Sequence, residues 1–362
     1  MPAEARVRER LEGAPARWWR PDGDKVLCYL CPRYCRIGEG LSGFCFIRVN
    51  HEGALVSLGY GRPAAVNVDP IEKKPLNHFM PGSRSLSLGT AGCNLGCRFC
   101  QNWDMTKSRQ DQVSSVELSP ESVVANAVRL GCSSISYTYN EPTIWAEYVV
   151  DIARLAREKG IKSVMVTNGY ITSEALPEVY EFIDAANVDL KSMTEEFYSK
   201  VTLSHLQPVL DCLVDLRKRG VWVEITNLVI PTLNDAISET RDLAHWILDN
   251  LGDEVPLHFT SFHPDFKLTH LPRTPQGAIE AAREEAMKAG LKYVYVGNVL
   301  SDEGSTTFCP SCGKPVIRRS WHTVEEYHLE DGCCPCGRKI AGCFPAPPPA
   351  ARWGASNRSL FR

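Results

Sequence analysis

The chain has 362 residues, 44% of them hydrophobic and 23% charged, with a formal net charge of −3. That length supports one large core with small appendages, and the slightly negative charge gives no electrostatic basis for nucleic-acid binding. No apolar run approaches the ~18 residues of a membrane span and no secretory h-region is visible, so the expectation is a cytoplasmic protein without a membrane segment.

Residues 1–25 carry Arg6, Arg8, Arg10, Arg17 and Arg20 and read as a flexible N-terminus. A cysteine-rich module follows over 26–80, with the pattern Cys28-x2-Cys31-Pro-x2-Cys35-x9-Cys45. Closely spaced cysteines in a chain without a secretion signal point to metal ligation rather than disulfides. The quartet leaves zinc and an auxiliary [4Fe–4S] cluster both open. Its proline follows the second cysteine and not the last, unlike the ferredoxin run, which tips the reading slightly toward a structural metal. Glu72, Lys73, Lys74 and His78 close this module and read as a solvated turn.

From 81 to 300 strand and helix signals alternate. Strand-like runs are 85–89, 134–139, 163–167, 186–190, 221–230, 257–262 and 293–296. Ser119-Pro120 starts a helix by cap and proline. An apolar stripe from Ile144 to Ala156 makes a second helix that stops at Gly160. Thr274-Pro275 repeats the start signal for a helix ending at Gly290. Six or seven βα units imply a parallel sheet with helices outside. The fold class expected is α/β, a partial, open TIM-like barrel whose site lies at the C-terminal ends of its strands. Lone Cys132 and Cys212 read as buried, inert thiols.

Directly after the first of these strands comes Cys93-x3-Cys97-x2-Cys100. Three thiolates from one loop hold three irons of a [4Fe–4S] cluster. The fourth iron then lacks a protein ligand, and an open position is where a small molecule binds and reacts. The competing reading is a partial zinc knuckle. Other strand ends are unusually polar: Tyr137-Thr-Tyr-Asn-Glu-Pro142, Val166-Thr-Asn-Gly169, Val188-Asp-Leu-Lys191, and His258 through His263 to Asp265. Each alone reads as a cap or a loop hydrogen bond; four at one end of a sheet read as a site.

Residues 301–344 form a zinc-ribbon-like module, Cys309-x2-Cys312-x20-Cys333-x2-Cys336. Glycine after the second thiol of each pair permits a knuckle turn, and four thiolates would make a closed structural zinc site. Cys334 is an alternative to Cys333, with a less suitable one-residue gap to Cys336. The tail over 345–362 begins Pro-Ala-Pro-Pro-Pro and reads as disordered.

These strings carry a resemblance. The cluster loop, with Phe99 before its third cysteine, resembles that of the radical S-adenosylmethionine (radical SAM) enzymes. Together with the Cys28 to Cys35 pattern, Asp69-Pro-Ile-Glu-Lys-Lys-Pro-Leu76, Tyr137 to Pro142, Val166 to Gly169 and the C-terminal cysteine pairs, it resembles the radical SAM component of the AmmeMemoRadiSam system, a relative of the glycyl-radical-enzyme activases. The resemblance covers residues 28 to 343. It implies a [4Fe–4S] cluster on Cys93, Cys97 and Cys100, and S-adenosylmethionine (SAM) contacts from Asn140, Glu141, Thr167, Asn168, Gly169, Asp189 and Lys191. Glu141 would pair with the methionyl ammonium. The activases usually carry Gly-Gly-Glu where this chain has Tyr-Asn-Glu, which puts Asn140 in more doubt than Glu141. The implied chemistry is reductive cleavage of SAM to methionine and a 5′-deoxyadenosyl radical that abstracts hydrogen from a substrate. It also implies an external one-electron donor, a ferredoxin or flavodoxin, and partners of the Memo and AMMECR types. For Glu72, Lys73, Lys74 and His78 it raises a capping or substrate role, and His263 stands as either a substrate contact or a structural histidine. The reading from another class is a non-enzymatic zinc scaffold binding nucleic acid or a partner.

Overall fold

The computed structural model describes residues 13–345; the expected tail beyond 345 and the first twelve residues lie outside it. Residues 13–25 are not the flexible segment expected of them. They form β1 (Ala14–Pro15) and β2 (Trp19–Asp22), because Trp18 is buried in the main core and the Arg17 N–H donates to Glu147 at 2.7 Å. Strand β2 continues an antiparallel sheet with β3 (Lys25–Cys28) and β4 (Cys35–Ile37); β1 joins β5 (Arg48–His51) and β6 (Ala54–Ser57) in a second one.

The centre is an eight-stranded sheet in which strand order follows chain order: β7 (Ala65–Pro70), β8 (Arg84–Gly89), β9 (Ser134–Tyr137), β10 (Lys162–Thr167), β11 (Ala185–Asp189), β12 (Trp222–Val229), β13 (Leu257–Ser261) and β14 (Val294–Gly297). Strands β8 to β14 are all parallel and correspond to the seven expected runs; β7 is antiparallel to β8 and was not anticipated. No pairing joins β14 to β7 among the described residues, so the barrel is open.

Helices Pro120–Arg129, Ala146–Glu158, Gln207–Lys218, Ile237–Asn250 and Gln276–Ala289 cover the outside. The crossover from β10 to β11 has only the single turn Leu176–Val179. Ser119 caps its helix as expected, accepting from Ser122 N–H. Thr274 does not cap. Its hydroxyl donates to Val229 O at 2.6 Å and accepts from Phe262 N–H at 2.9 Å, tying β12 to β13, and Pro275 occupies the cap position without a side-chain bond.

The C-terminal module is a three-stranded antiparallel sheet, β15 (Thr307–Phe308), β16 (Pro315–Ser320) and β17 (Thr323–Tyr327). It is fastened to the barrel by buried polar groups. Arg319 donates to Asn77 O at 2.7 Å, and its Nε lies 3.7 Å from buried Glu72. His78 is fully buried between Tyr295 Oη and Ala341 O, each at 2.6 Å. The solvated-turn reading of Glu72 and His78 is therefore corrected: both are structural, and burial of opposite charges and hydrogen-bonded pairs holds the junction. Cys132 and Cys212 are buried as expected.

Candidate active site

The loop after β8 is held by backbone on both sides. Gly96 N–H donates to Thr202 O at 2.8 Å and Arg98 N–H to Val201 O at 3.0 Å, docking the loop on the single π-helical turn Tyr198–Thr202. Gly92 has φ +80°, and a Cβ there would lie 2.1 Å from Cys45 O, so only glycine lets the N-terminal module approach this closely. Phe99 is buried against Phe197. Cys93, Cys97 and Cys100 emerge from this loop at the head of a cleft of about 570 Å³, lined by residues that follow β8, β9, β10 and β11. Burial pushes the Cys93 thiol up to about 12 and raises Cys97, with Lys107 and Lys191 pulling respectively against it.

Glu141 follows β9, at the cap of the short helical turn Pro142–Trp145, and is buried. Its Oε1 accepts from Thr143 N–H at 3.0 Å and Thr167 Oγ1 at 2.7 Å, and its Oε2 from Asn168 N–H at 2.7 Å. A carboxylate offers about four acceptor positions, so one on Oε2 remains for a cationic donor in the cleft. Burial raises its pKa and the three donors pull it back.

Asn140 lines the same cleft, but its amide is spent. Oδ1 accepts from Thr90 N–H at 3.1 Å and Trp145 Nε1 at 3.2 Å, while Nδ2 reaches Thr90 Oγ1, Ala91 O and Gly92 O at 3.0–3.1 Å. This residue fixes the entry to the cysteine loop, and it lines the cleft in the place expected of a cofactor contact. Gly169 follows the lining residue Asn168, and its φ of +67° serves the turn after β10. Thr167 and Asn168 do line the cleft. Asn168 Nδ2 donates to Asn94 Oδ1 at 2.9 Å, next to Cys93.

Across the cleft Lys191 Nζ donates to Asp189 Oδ2 at 2.9 Å and stands over the Phe99 ring. Burial opposes its charge, but the Asp189 carboxylate and the Cys97 sulfur hold its pKa well above the ordinary lysine value. His263 is exposed and outside the cleft, while His258 is buried, 2.7 Å from Glu224.

Lys73 and Lys74, for which the resemblance raises a capping or substrate role, reach the cleft through a strand that the sequence did not reveal. Asp69 of β7 accepts from Lys74 at 2.7 Å, Lys73 at 2.9 Å and Tyr139 Oη at 2.7 Å. Both lysines and Tyr139 line the cleft. Burial pushes Lys74 down to about 8 against the pull of Asp69, so Lys74 and Asp69 form an internal charged pair while Lys73 stays exposed beside them. The alternation of Val66, Asn67, Val68 and Asp69 was the available signal for a half-buried strand.

In the C-terminal module the thiols brought together are Cys309, Cys312, Cys334 and Cys336, all within 4.8 Å of one another. Cys309 and Cys336 are 3.6 Å apart, Cys312 and Cys334 3.7 Å. Cys333 is displaced from the set. Asp331 and Gly332 make a left-handed turn that pairs Cys333 with Glu330, and strand alternation then sends Cys334 to the opposite, buried side. The short knuckle works because Gly337 N–H closes directly on Cys334 O at 2.8 Å. The spacing near 3.7 Å suits a tetrahedral ion with metal–sulfur bonds of ~2.3 Å.

An open parallel barrel with three loop thiols at the head of a strand-end cleft defines a class, and comparison with known proteins gives the same class. Residues 87–244 match the model of the Radical SAM superfamily. The chain is 45% identical over 322 residues to the uncharacterized protein MJ0808 of Methanocaldococcus jannaschii, covering 88% of this chain and 96% of that one. It is 25% identical over 192 residues to the pyruvate formate-lyase-activating enzyme of Clostridium pasteurianum, covering 51% and 76%. A solved domain of pyruvate-formate lyase-activating enzyme from Bacteroides vulgatus aligns over 45% of this chain and 98% of its own, with 15% identity and a TM-score of 0.40. The chain carries a radical SAM superfamily domain over residues 87–244 and belongs to one family with the uncharacterized protein MJ0808. None of its described helices is long and apolar enough to cross a membrane.

Proposed function

We propose that this protein is a cytoplasmic radical SAM enzyme of the AmmeMemoRadiSam type, with a [4Fe–4S] cluster on Cys93, Cys97 and Cys100. The observation that carries the reading is the set of three thiols lining a cleft of about 570 Å³ that also holds Glu141, Asn168, Asp189 and Lys191. Three thiolates suit a cluster with one open iron. Cys93, Cys97 and Cys100 would hold the cluster, and when bound and reduced it would supply the electron for reductive cleavage of SAM to methionine and a 5′-deoxyadenosyl radical able to abstract hydrogen from a substrate.

The chain's own groups do the rest. Glu141 Oε2 receives the methionyl ammonium by charge pairing, Thr167 and Asn168 hold that carboxylate in place, and the Lys191–Asp189 pair faces the cofactor from β11. A ferredoxin or flavodoxin delivers the electron. The activating-enzyme relatives favour hydrogen abstraction from a partner protein, with conversion of a small molecule as the alternative, and proteins of the Memo and AMMECR types are the proposed associates. Zinc occupies Cys309, Cys312, Cys334 and Cys336 as a closed structural site.

The test is SAM binding at the cluster. In anaerobically reconstituted, reduced protein, adding SAM should change the electron paramagnetic resonance spectrum of the cluster, and Glu141→Gln should raise the SAM concentration required. A spectrum indifferent to saturating SAM would refute the reading.

A further inference from the structure

The N-terminal cysteines form a second site. Cys28 and Cys35 face each other across the β3–β4 pair, Cys31 lies in the turn between them, and Cys45 comes from the loop before β5. All four line one enclosed cavity, together with Leu30, Ile37 and Ile144. None is in a disulfide.

Their spacing separates two metals. Thiolates sharing one zinc ion must approach to ~3.8 Å, as tetrahedral geometry with bonds of ~2.3 Å requires. The C-terminal quartet does so; among the described residues it is the one set of three or more metal-ligating groups within 4.8 Å of one another. The N-terminal quartet converges on a common cavity without closing to that distance, as does the Cys93, Cys97 and Cys100 triad. Thiolates that each bind a different iron of a cluster stand apart in this way.

The charge at the cavity agrees. Arg48 lines it and is 2% exposed. Its Nη1 is paired with Glu147 at 2.8 Å, but its Nε has no partner. A buried guanidinium N–H left unsatisfied is costly, and a sulfur-ligated, anionic group in the cavity would accept from it.

The cavity adjoins the other cluster loop. Cys45 O lies against Gly92, one residue before Cys93. Asn94, one residue after it, lines the cavity and accepts from Arg33 Nε at 2.5 Å. We propose that Cys28, Cys31, Cys35 and Cys45 hold a second [4Fe–4S] cluster, which passes an electron from an external one-electron donor protein to the cluster on Cys93, Cys97 and Cys100. The donor is oxidised by one electron, the second cluster is reduced and then reoxidised, and the first cluster is reduced; no bond changes in this transfer. The relay half rests on the radical SAM reading above, whereas the site itself does not.

The experiment therefore removes the first cluster. The full chain with Cys93→Ala, Cys97→Ala and Cys100→Ala is reconstituted anaerobically with iron and sulfide, and its iron, zinc and Mössbauer spectrum are measured. One cluster's worth of iron (about four atoms) with a [4Fe–4S] spectrum insensitive to SAM is expected. No iron, with zinc in excess of the C-terminal site, would overturn the proposal. Should the triple variant fail to fold, Cys45→Ser in the otherwise intact chain reads the same point: it should lose half of the iron and keep the SAM-responsive cluster, and unchanged iron would overturn the site. In the intact chain, reduction of both clusters should split or broaden each resonance signal by spin coupling. Two independent, additive signals would overturn the relay.

Discussion

Asn140→Ala separates two roles for a residue that lines the cleft. The truncation leaves two fully buried donors, Thr90 N–H and Trp145 Nε1–H, without the oxygen they share, and takes a donor from Thr90 Oγ1, Ala91 O and Gly92 O. An unsatisfied buried donor costs about 1–3 kcal/mol, so the two together predict a loss of about 2–6 kcal/mol in the protein before any cluster is loaded. The cysteine loop begins at these residues, so iron uptake should fall as well. The assay is urea unfolding of the metal-free chain, followed by iron content after anaerobic reconstitution. If the variant unfolds like the native protein and loads iron normally, but binds SAM more weakly, Asn140 is a cofactor contact and the argument from its spent amide is wrong.

Gly92→Ala should prevent cluster loading, because the added carbon meets Cys45 O at 2.1 Å in a left-handed backbone; iron content after reconstitution reads this, and normal iron would contradict it. Cys334→Ser should abolish the zinc bound by the C-terminal module while Cys333→Ser leaves it intact, as metal analysis of the two purified variants will show. Burial of His78 lowers its pKa to about 4, despite Glu224 nearby, from ~6.5 when unfolded. A histidine with a depressed folded pKa contributes stability that is present above 6.5 and lost as the pH falls toward 4, on the order of 3 kcal/mol in all. Unfolding free energies at pH 7 and pH 5 should therefore differ less in His78→Gln than in the native protein.

The barrel was legible because its parallel strands are short segments with little exposure on either face, the clearest being Val-Tyr-Val-Gly at Val294–Gly297 and Lys-Ser-Val-Met-Val-Thr at Lys162–Thr167. The cluster loop was legible because its chemistry depends on local spacing. What escaped depends on distant pairing. Strand β7 has only Val66 and Val68 as apolar signal, and its role appears when β8 pairs with it and brings Asp69 to Lys74 and Tyr139. The exchange of Cys333 for Cys334 turns on the Asp331-Gly332 turn, whose left-handed conformation sets which thiol faces inward. Asn140 stands in the expected place, but its five positioning hydrogen bonds were not legible, since their partners lie in a loop some fifty residues earlier and in the following turn. Ordered Arg17 was read as part of a loose arm because its partner, Glu147, is 130 residues away.

Product formation tests the central claim most directly. The anaerobically reconstituted protein is reduced, given SAM, and assayed for 5′-deoxyadenosine and methionine beside a Cys97→Ala control. Both products in equal amounts from the native protein, and neither from the control, are what the account predicts. A protein with a full [4Fe–4S] complement that forms neither, even with the Memo-type and AMMECR-type proteins added, would contradict it.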